Sequence, residues 1–120
     1  MNKKMLSHLN DLDNSSTDIE ASALVSADGL VMADTLPINM DAEHLGAICA
    51  GVFSLGHRSL EKCASGRLEE VLIKGANNHI VITRAGAETM LAVIIKPYAN
   101  LERIYSNLKQ SIEKIAVIVV

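Results

Sequence analysis

Any chemistry in this chain has to come from a short roster of side chains. Gly51-Val52-Phe53-Ser54-Leu55-Gly56-His57-Arg58-Ser59 carries the two-glycine spacing of a phosphate-cradling loop. Such a loop works through a nest of backbone N–H groups together with a lysine that reaches the phosphates. His57 stands where the lysine should be, and the segment lies within a helical pattern rather than between a strand and a helix. Helix packing accounts for these residues better. The histidines His8, His44, His57 and His79 fall in different segments, and neither a Cys-x-x-Cys nor a His-x-x-x-His pair occurs. Surface or capping histidines are the reading this spacing favours, and no metal is expected. Cys49 and Cys63 belong to one helical stretch rather than to exposed turns, and no Gly-x-Ser-x-Gly elbow presents a serine nucleophile. Along that helix the two thiols stand about 20 Å apart, too far for a disulfide. Reduced thiols in a reducing compartment follow. Glu69 and Glu70 are adjacent, so on a strand they point to opposite faces and cannot act as paired carboxylates. Each candidate fails in turn, and the chain is expected to be no enzyme and to use no cofactor.

The composition agrees. A chain of 120 residues suits a single domain spanning 1–120, and at that size one core is all it can build. Nearly half the residues are apolar, yet there is no Trp, one Phe and two Tyr. The core must therefore be Leu, Ile, Val, Ala and Met in regular packed layers. A net charge of −3, with its basic residues dispersed, argues against nucleic acid as a partner. No apolar run approaches the ~20 residues that span a bilayer, and the opening MNKKMLSHLN lacks the form of a signal peptide. No membrane insertion is expected, and the cytoplasm is the expected location.

The elements that would position these side chains can be read from periodicity. Met5, Leu9 and Leu12 recur at helical spacing between Asn2 and Asp13. Ile19 to Ala27 and Leu30 to Ala33 read as strands around Asp28-Gly29, a dipeptide that suits a two-residue type I′ turn, in which both residues need positive φ. After Pro37, Asp41 can cap a long helix running to about Ala64, with Glu43 in its first turn and Gly66 just beyond its end. Its larger apolar residues, Leu45, Ile48, Val52, Leu55 and Leu60, form the stripe expected to face a sheet. Three strands follow, Leu68 to Lys74, Ile80 to Arg84 and Thr89 to Lys96, joined by links too short for a parallel crossover. Val71-Leu72-Ile73 and Leu91-Ala92-Val93-Ile94-Ile95 are continuously apolar, which requires cover on both faces of the sheet. Pro97 ends the last strand, and Leu101, Ile104, Tyr105, Leu108, Ile112 and Ile115 mark an amphipathic final helix. The fold class expected is α+β, in the order α-β-β-α-β-β-β-α. A single-layer five-stranded antiparallel sheet would carry the long central helix on one face and the N- and C-terminal helices on the other, a profilin-like three-layer sandwich.

Two features remain for a partner. Ala47, Ala50, Gly51 and Ser54 form a second stripe of small residues on the central helix. It either permits close packing inside the monomer or makes the seam where a twofold-related helix docks. Leu68 to Ile73, with Val71 at its centre, is a long apolar strand that would be a liability if left unpaired at a sheet edge. Pairing edge to edge across a twofold would satisfy both features at once, so Ala47, Ala50, Gly51, Ser54, Leu68, Val71 and Ile73 are taken as the candidate interface.

The order of elements and several phrases resemble the Roadblock and dynein light chain family, in its bacterial or archaeal form of small-GTPase regulators. Ala23-Leu24-Val25-Ser26-Ala27-Asp28-Gly29-Leu30-Val31-Met32-Ala33 looks like that family's first hairpin. Gly66-Arg67-Leu68-Glu69-Glu70-Val71-Leu72-Ile73-Lys74-Gly75 resembles the strand after its central helix, and Thr89-Met90-Leu91-Ala92-Val93-Ile94 with Ala99-Asn100-Leu101 matches its last strand and helix entry. The resemblance covers essentially the whole chain. It implies a homodimer whose central helices pack side by side and whose sheets join, and a non-catalytic role on a Ras-like small GTPase or a motor complex. The family has no recognised arginine finger, so Arg58, Arg67, Arg84 and Arg103 take no such role from it. The tail from Ala116 to Val120 lies outside the resemblance. A rival expectation from the same architecture is a small-molecule sensor of PAS or profilin-like kind, which would need an internal cavity.

Overall fold

The computed structural model describes residues 2–64 and 66–119. Its elements follow the expected order: α1 (Asn2–Asn14), β1 (Ile19–Ser26), β2 (Val31–Asp34), α2 (Ala42–Cys63), β3 (Glu70–Lys74), β4 (His79–Gly86), β5 (Thr89–Ile95) and α3 (Leu101–Ile118). The strands form one antiparallel sheet in the order β2-β1-β5-β4-β3. The apolar runs Leu24–Val25, Val81–Ile82 and Leu91–Ile95 lie in its three central strands, and β2 and β3 are its edges.

Alternation along those strands feeds two cores of different grain. On one face Leu24, Val81, Leu91, Val93 and Ile95 meet Leu9 and Leu12 of α1 and Ile104, Leu108 and Ile115 of α3. Most of the largest fully buried side chains among the described residues belong to this face, each worth ~1.5–3 kcal/mol of burial. The other face is carpeted with smaller groups, Ala23, Val25 and Ala92 beside Ile82 and Met90, and α2 covers it with Cys49 and Phe53. Small side chains below let the helix lie close to the sheet. At its N-terminal end the approach is backbone to backbone: a Cβ on Gly46 would run into the carbonyl oxygen of Gly29 and sit 3.1 Å from Val31 Cγ2.

Three local outcomes depart from the expectations. The first hairpin is closed by a three-residue loop, Ala27–Gly29. The Ser26 N–H donates to Leu30 O at 2.8 Å, and only Gly29, with φ of 90°, takes the left-handed region. One glycine at the αL position suffices for such a loop, whereas type I′ would have forced Asp28 there too. The edge strand begins at Glu70 rather than Leu68, because Leu68 turns under α2 and is buried. Third, the large apolar stripe on α2 divides. Leu45, Val52 and Leu60 pack partly against the sheet, but Ile48 and Leu55 are 46% and 61% exposed. The inward positions are Gly46, Cys49 and Phe53.

Both long helices start on side-chain caps, of which Asp41 is the one expected from sequence. Asp41 accepts the His44 N–H at 3.1 Å, and Asn100 accepts the Arg103 N–H at 3.2 Å. The apolar tail continues α3 through Ile118, and the Val119 side chain rests against Gly86 at the β4–β5 turn. Tyr105 of α3 stands beside Glu70 on the edge strand, and burial with the adjacent carboxylate holds its phenol above the ordinary range. None of the helices, among the described residues, is long and apolar enough to cross a membrane.

Candidate functional site

The outer face of α2 carries features that monomer packing leaves unexplained. Helical geometry sets Gly46, Cys49 and Phe53 on the sheet, and so turns Ala47, Ile48, Gly51 and Leu55 away from it. A Cβ built on Gly51 would find no atom within 4 Å. Gly51 is therefore small for no reason internal to the chain, although glycine in a helix costs about 1 kcal/mol relative to alanine. Ile48 and Leu55 flank it, exposed and seven residues apart, two turns along one ridge. His44, Arg58 and Lys62 stand nearer the two ends of the helix.

The structure treats the seven expected interface residues differently. Ala47, Gly51 and Ser54 are exposed on α2. Ala50 is half-buried and turned toward the hairpin, its Cβ within 3.5 Å of where one on Gly29 would lie. Val71 and Ile73 sit on the α2 side of β3, with Ile73 exposed and Val71 half-buried. Leu68 is interior; its Cδ2 would lie 2.9 Å from a Cβ on Gly56. The helix and the free edge of β3 are thus adjacent, while Leu68 supports them from below. Ile48 and Leu55 join this surface although sequence reasoning had assigned them inward. The signal that identifies the inward face is the i, i+3, i+7 spacing of Gly46, Cys49 and Phe53, of which Gly46 has no side chain to register on a hydrophobicity count.

The remaining candidates for chemistry are dispersed. His8 lies on α1, His44 and His57 on α2 and His79 on β4. Glu69 precedes β3 and pairs with Arg67 at 3.1 Å. Cys49 is buried, and that burial pushes its thiol up to about 11, whereas Cys63 is exposed at the end of α2. A raised pKa keeps Cys49 protonated across the physiological range, and only the thiolate attacks. Ellman's reagent at about pH 8 is accordingly expected to titrate one thiol in the native protein and two in denaturant. Fast modification of Cys49 without unfolding would show that α2 lifts from the sheet.

Residues 6–95 match the family model described as Roadblock/LC7 domain. An uncharacterised protein of Methanocaldococcus jannaschii, MJ1340, is 34% identical over 102 residues, which is 85% of this chain and 89% of that protein. Among solved structures, a Roadblock/LC7 domain from Streptomyces avermitilis superposes with a TM-score of 0.87 at 21% identity, covering 92% of each chain. Myxococcus xanthus MglB superposes with a TM-score of 0.89 at 17% identity, over 97% of this chain and 87% of that one. A profilin in a complex described as LokiProfilin2 with rabbit actin gives a TM-score of 0.71 at 16% identity, over 99% and 100%. The profilin-like three-layer architecture is shared with these solved structures.

Proposed function

This chain belongs to the Roadblock/LC7 domain family, and from that premise we propose that it is a non-catalytic homodimeric adaptor in the cytoplasm. It binds a Ras-like small GTPase, or a motor complex, and modulates nucleotide turnover or assembly. The observation that carries this reading is the outer face of α2, where Ile48 and Leu55 are exposed around an open Gly51 beside an unpaired strand edge. Apolar side chains of that size, placed together beside free backbone groups, are what an interface buries.

A second copy fits this surface in one economical way. If two α2 helices run antiparallel with the twofold beside Gly51, Ile48 of each copy meets Leu55 of the other, and the absent side chain at Gly51 lets the backbones approach. The same axis can bring two β3 edges together, so that Val71 and Ile73 continue one apolar face across the join. An isologous contact of this kind uses one patch twice. The paired helices then present a symmetric platform on which a GTPase could rest, its switch loops biased by position rather than by a donated catalytic group.

The test is affinity capture from the native cytoplasm with the immobilised protein, repeated with GDP and with a non-hydrolysable GTP analogue. Recovery of a small GTPase that depends on the nucleotide is the expected result. An identical set of proteins under both conditions, with no GTPase among them, would overturn the partner assignment and leave the dimer to be judged separately.

A further inference from the structure

The inner flank of α2 borders a second, separate site. Between the helix and the turns at the near end of the sheet lies a groove of about 400 Å³. Small residues open it: Ala50 and Ser54 on the helix side, Ala27 and Ala87 on the turns. Phe53 and Met90, both buried, supply an apolar floor.

Arg84 stands in this groove in an unusual condition. Its guanidinium lies 5.1 Å from the centre of the Phe53 ring. Nε and Nη2 donate to the Leu68 carbonyl at 3.2 and 3.0 Å, and Nη1 donates to the Ala87 carbonyl at 3.4 Å. Every one of these partners is neutral. Among the described residues Arg67 pairs with Glu69, and the contact of His57 with Glu61 is an ion pair only when the imidazole is protonated; neither includes Arg84. A half-buried cation held only by dipoles has lost hydration without gaining a counter-charge. His57, at the same groove, carries a buried Nδ1 with no hydrogen-bond partner. Glu88 also lines the groove; it is exposed, and its carbonyl accepts the Ala27 N–H at 2.9 Å.

We infer that this groove binds an amphiphilic monocarboxylate, its hydrocarbon tail on Phe53 and Met90 and its carboxylate on Arg84. The tail replaces water on an apolar floor, and the carboxylate supplies the missing counter-charge through a charge-assisted hydrogen bond. A volume near 400 Å³ is at the small end of the range for compact ligands, and a free acid of about eight carbons fits that scale better than a peptide spread over several residues. The groove lies on the flank of α2 opposite Ile48 and Leu55, although Ala50 and Ser54, counted by sequence with the interface, line it.

Titration of the whole chain with sodium octanoate, followed by backbone amide and arginine Nε NMR, tests this. Octanoate is expected to give saturable shifts at Ala27, Phe53, Arg84, Ala87 and Met90, with octan-1-ol binding at least about tenfold more weakly for want of the charge. Arg84→Gln should weaken octanoate about tenfold. Because Arg84 also holds the Leu68 carbonyl, Ala87→Leu provides a second arm; it fills the groove from an exposed turn, and should abolish the shifts while the melting temperature holds. Equal binding of octanol and octanoate, an absence of saturable shifts, or unchanged binding by Ala87→Leu each overturns the inference. Tighter binding of a short peptide with a free C-terminal carboxylate than of octanoate also overturns it, and assigns the groove to a chain end.

Discussion

Leu55→Glu is expected to yield a folded monomer. In the isolated chain Leu55 is 61% exposed and contributes little to either core, so circular dichroism and the thermal midpoint should stay close to those of the parent. In the proposed dimer the same side chain meets Ile48 of the second copy, and a carboxylate there would be desolvated without a partner. A central apolar contact is worth ~2 kcal/mol when removed. The twofold repeats each substitution, so the total is about 4 kcal/mol, or roughly a thousandfold in the dimer dissociation constant. Sedimentation velocity at micromolar concentration would then show the variant at half the parent's mass. Ile48→Glu should behave alike. If both variants sediment with the parent, the outer face of α2 is not the seam.

The second large effect separates two glycines of one helix by sign. Replacing glycine by alanine within a helix gains about 1 kcal/mol of propensity. At Gly51, where the added methyl meets open space, that gain should be realised. At Gly46 the methyl would enter the Gly29 carbonyl oxygen, with Val31 Cγ2 at 3.1 Å. The obstacle is backbone, and it cannot swing aside as a side chain does. Gly29 is pinned by its own N–H to Ser26 O at 2.9 Å. Overpacking of this kind costs ~1–3 kcal/mol, occasionally more, and α2 must lift from Ala23 and Val25 to relieve it. Urea denaturation of Gly46→Ala and Gly51→Ala in the Leu55→Glu background removes any contribution of association to the measured stability. A lower midpoint for the first and a higher one for the second is the expected pair of results. Equal shifts in one direction would mean that the approach of α2 to the hairpin is looser than the structure has it.

The two experiments bear on different links of one argument. Gly46 is small because the monomer requires it, and Gly51 is small although the monomer does not. A residue that costs stability and has no internal purpose is where a partner's backbone can come close, so the contrast between these glycines directs attention to the outer face of α2. The groove around Arg84 rests on a different imbalance, a cation whose two acceptor carbonyls and aromatic neighbour are all uncharged.

Much of the architecture was already present in the order of the residues. Continuous apolar runs such as Leu91 to Ile95 can only be satisfied between two layers, and that requirement placed helices on both faces of the sheet. Links as short as Gly75 to Asn78 allow only antiparallel neighbours, and Asp41 announced the start of α2 through the hydrogen bond its side chain makes locally. These signals are legible because they depend on neighbours in sequence. The orientation of α2 was not, since apolar side chains occur on more than one of its flanks and size does not say which flank faces the sheet. That choice fell to Gly46, whose missing side chain matters only because Gly29, seventeen residues earlier, comes to lie against it. The turn at Gly29 and the uncompensated charge of Arg84 are of the same kind, set by contacts between distant segments. By itself the sequence determined the elements, their order and the need for two covering layers. Tertiary structure alone decided which side chains those layers left facing outward, because burial belongs to a pair of surfaces and not to a residue.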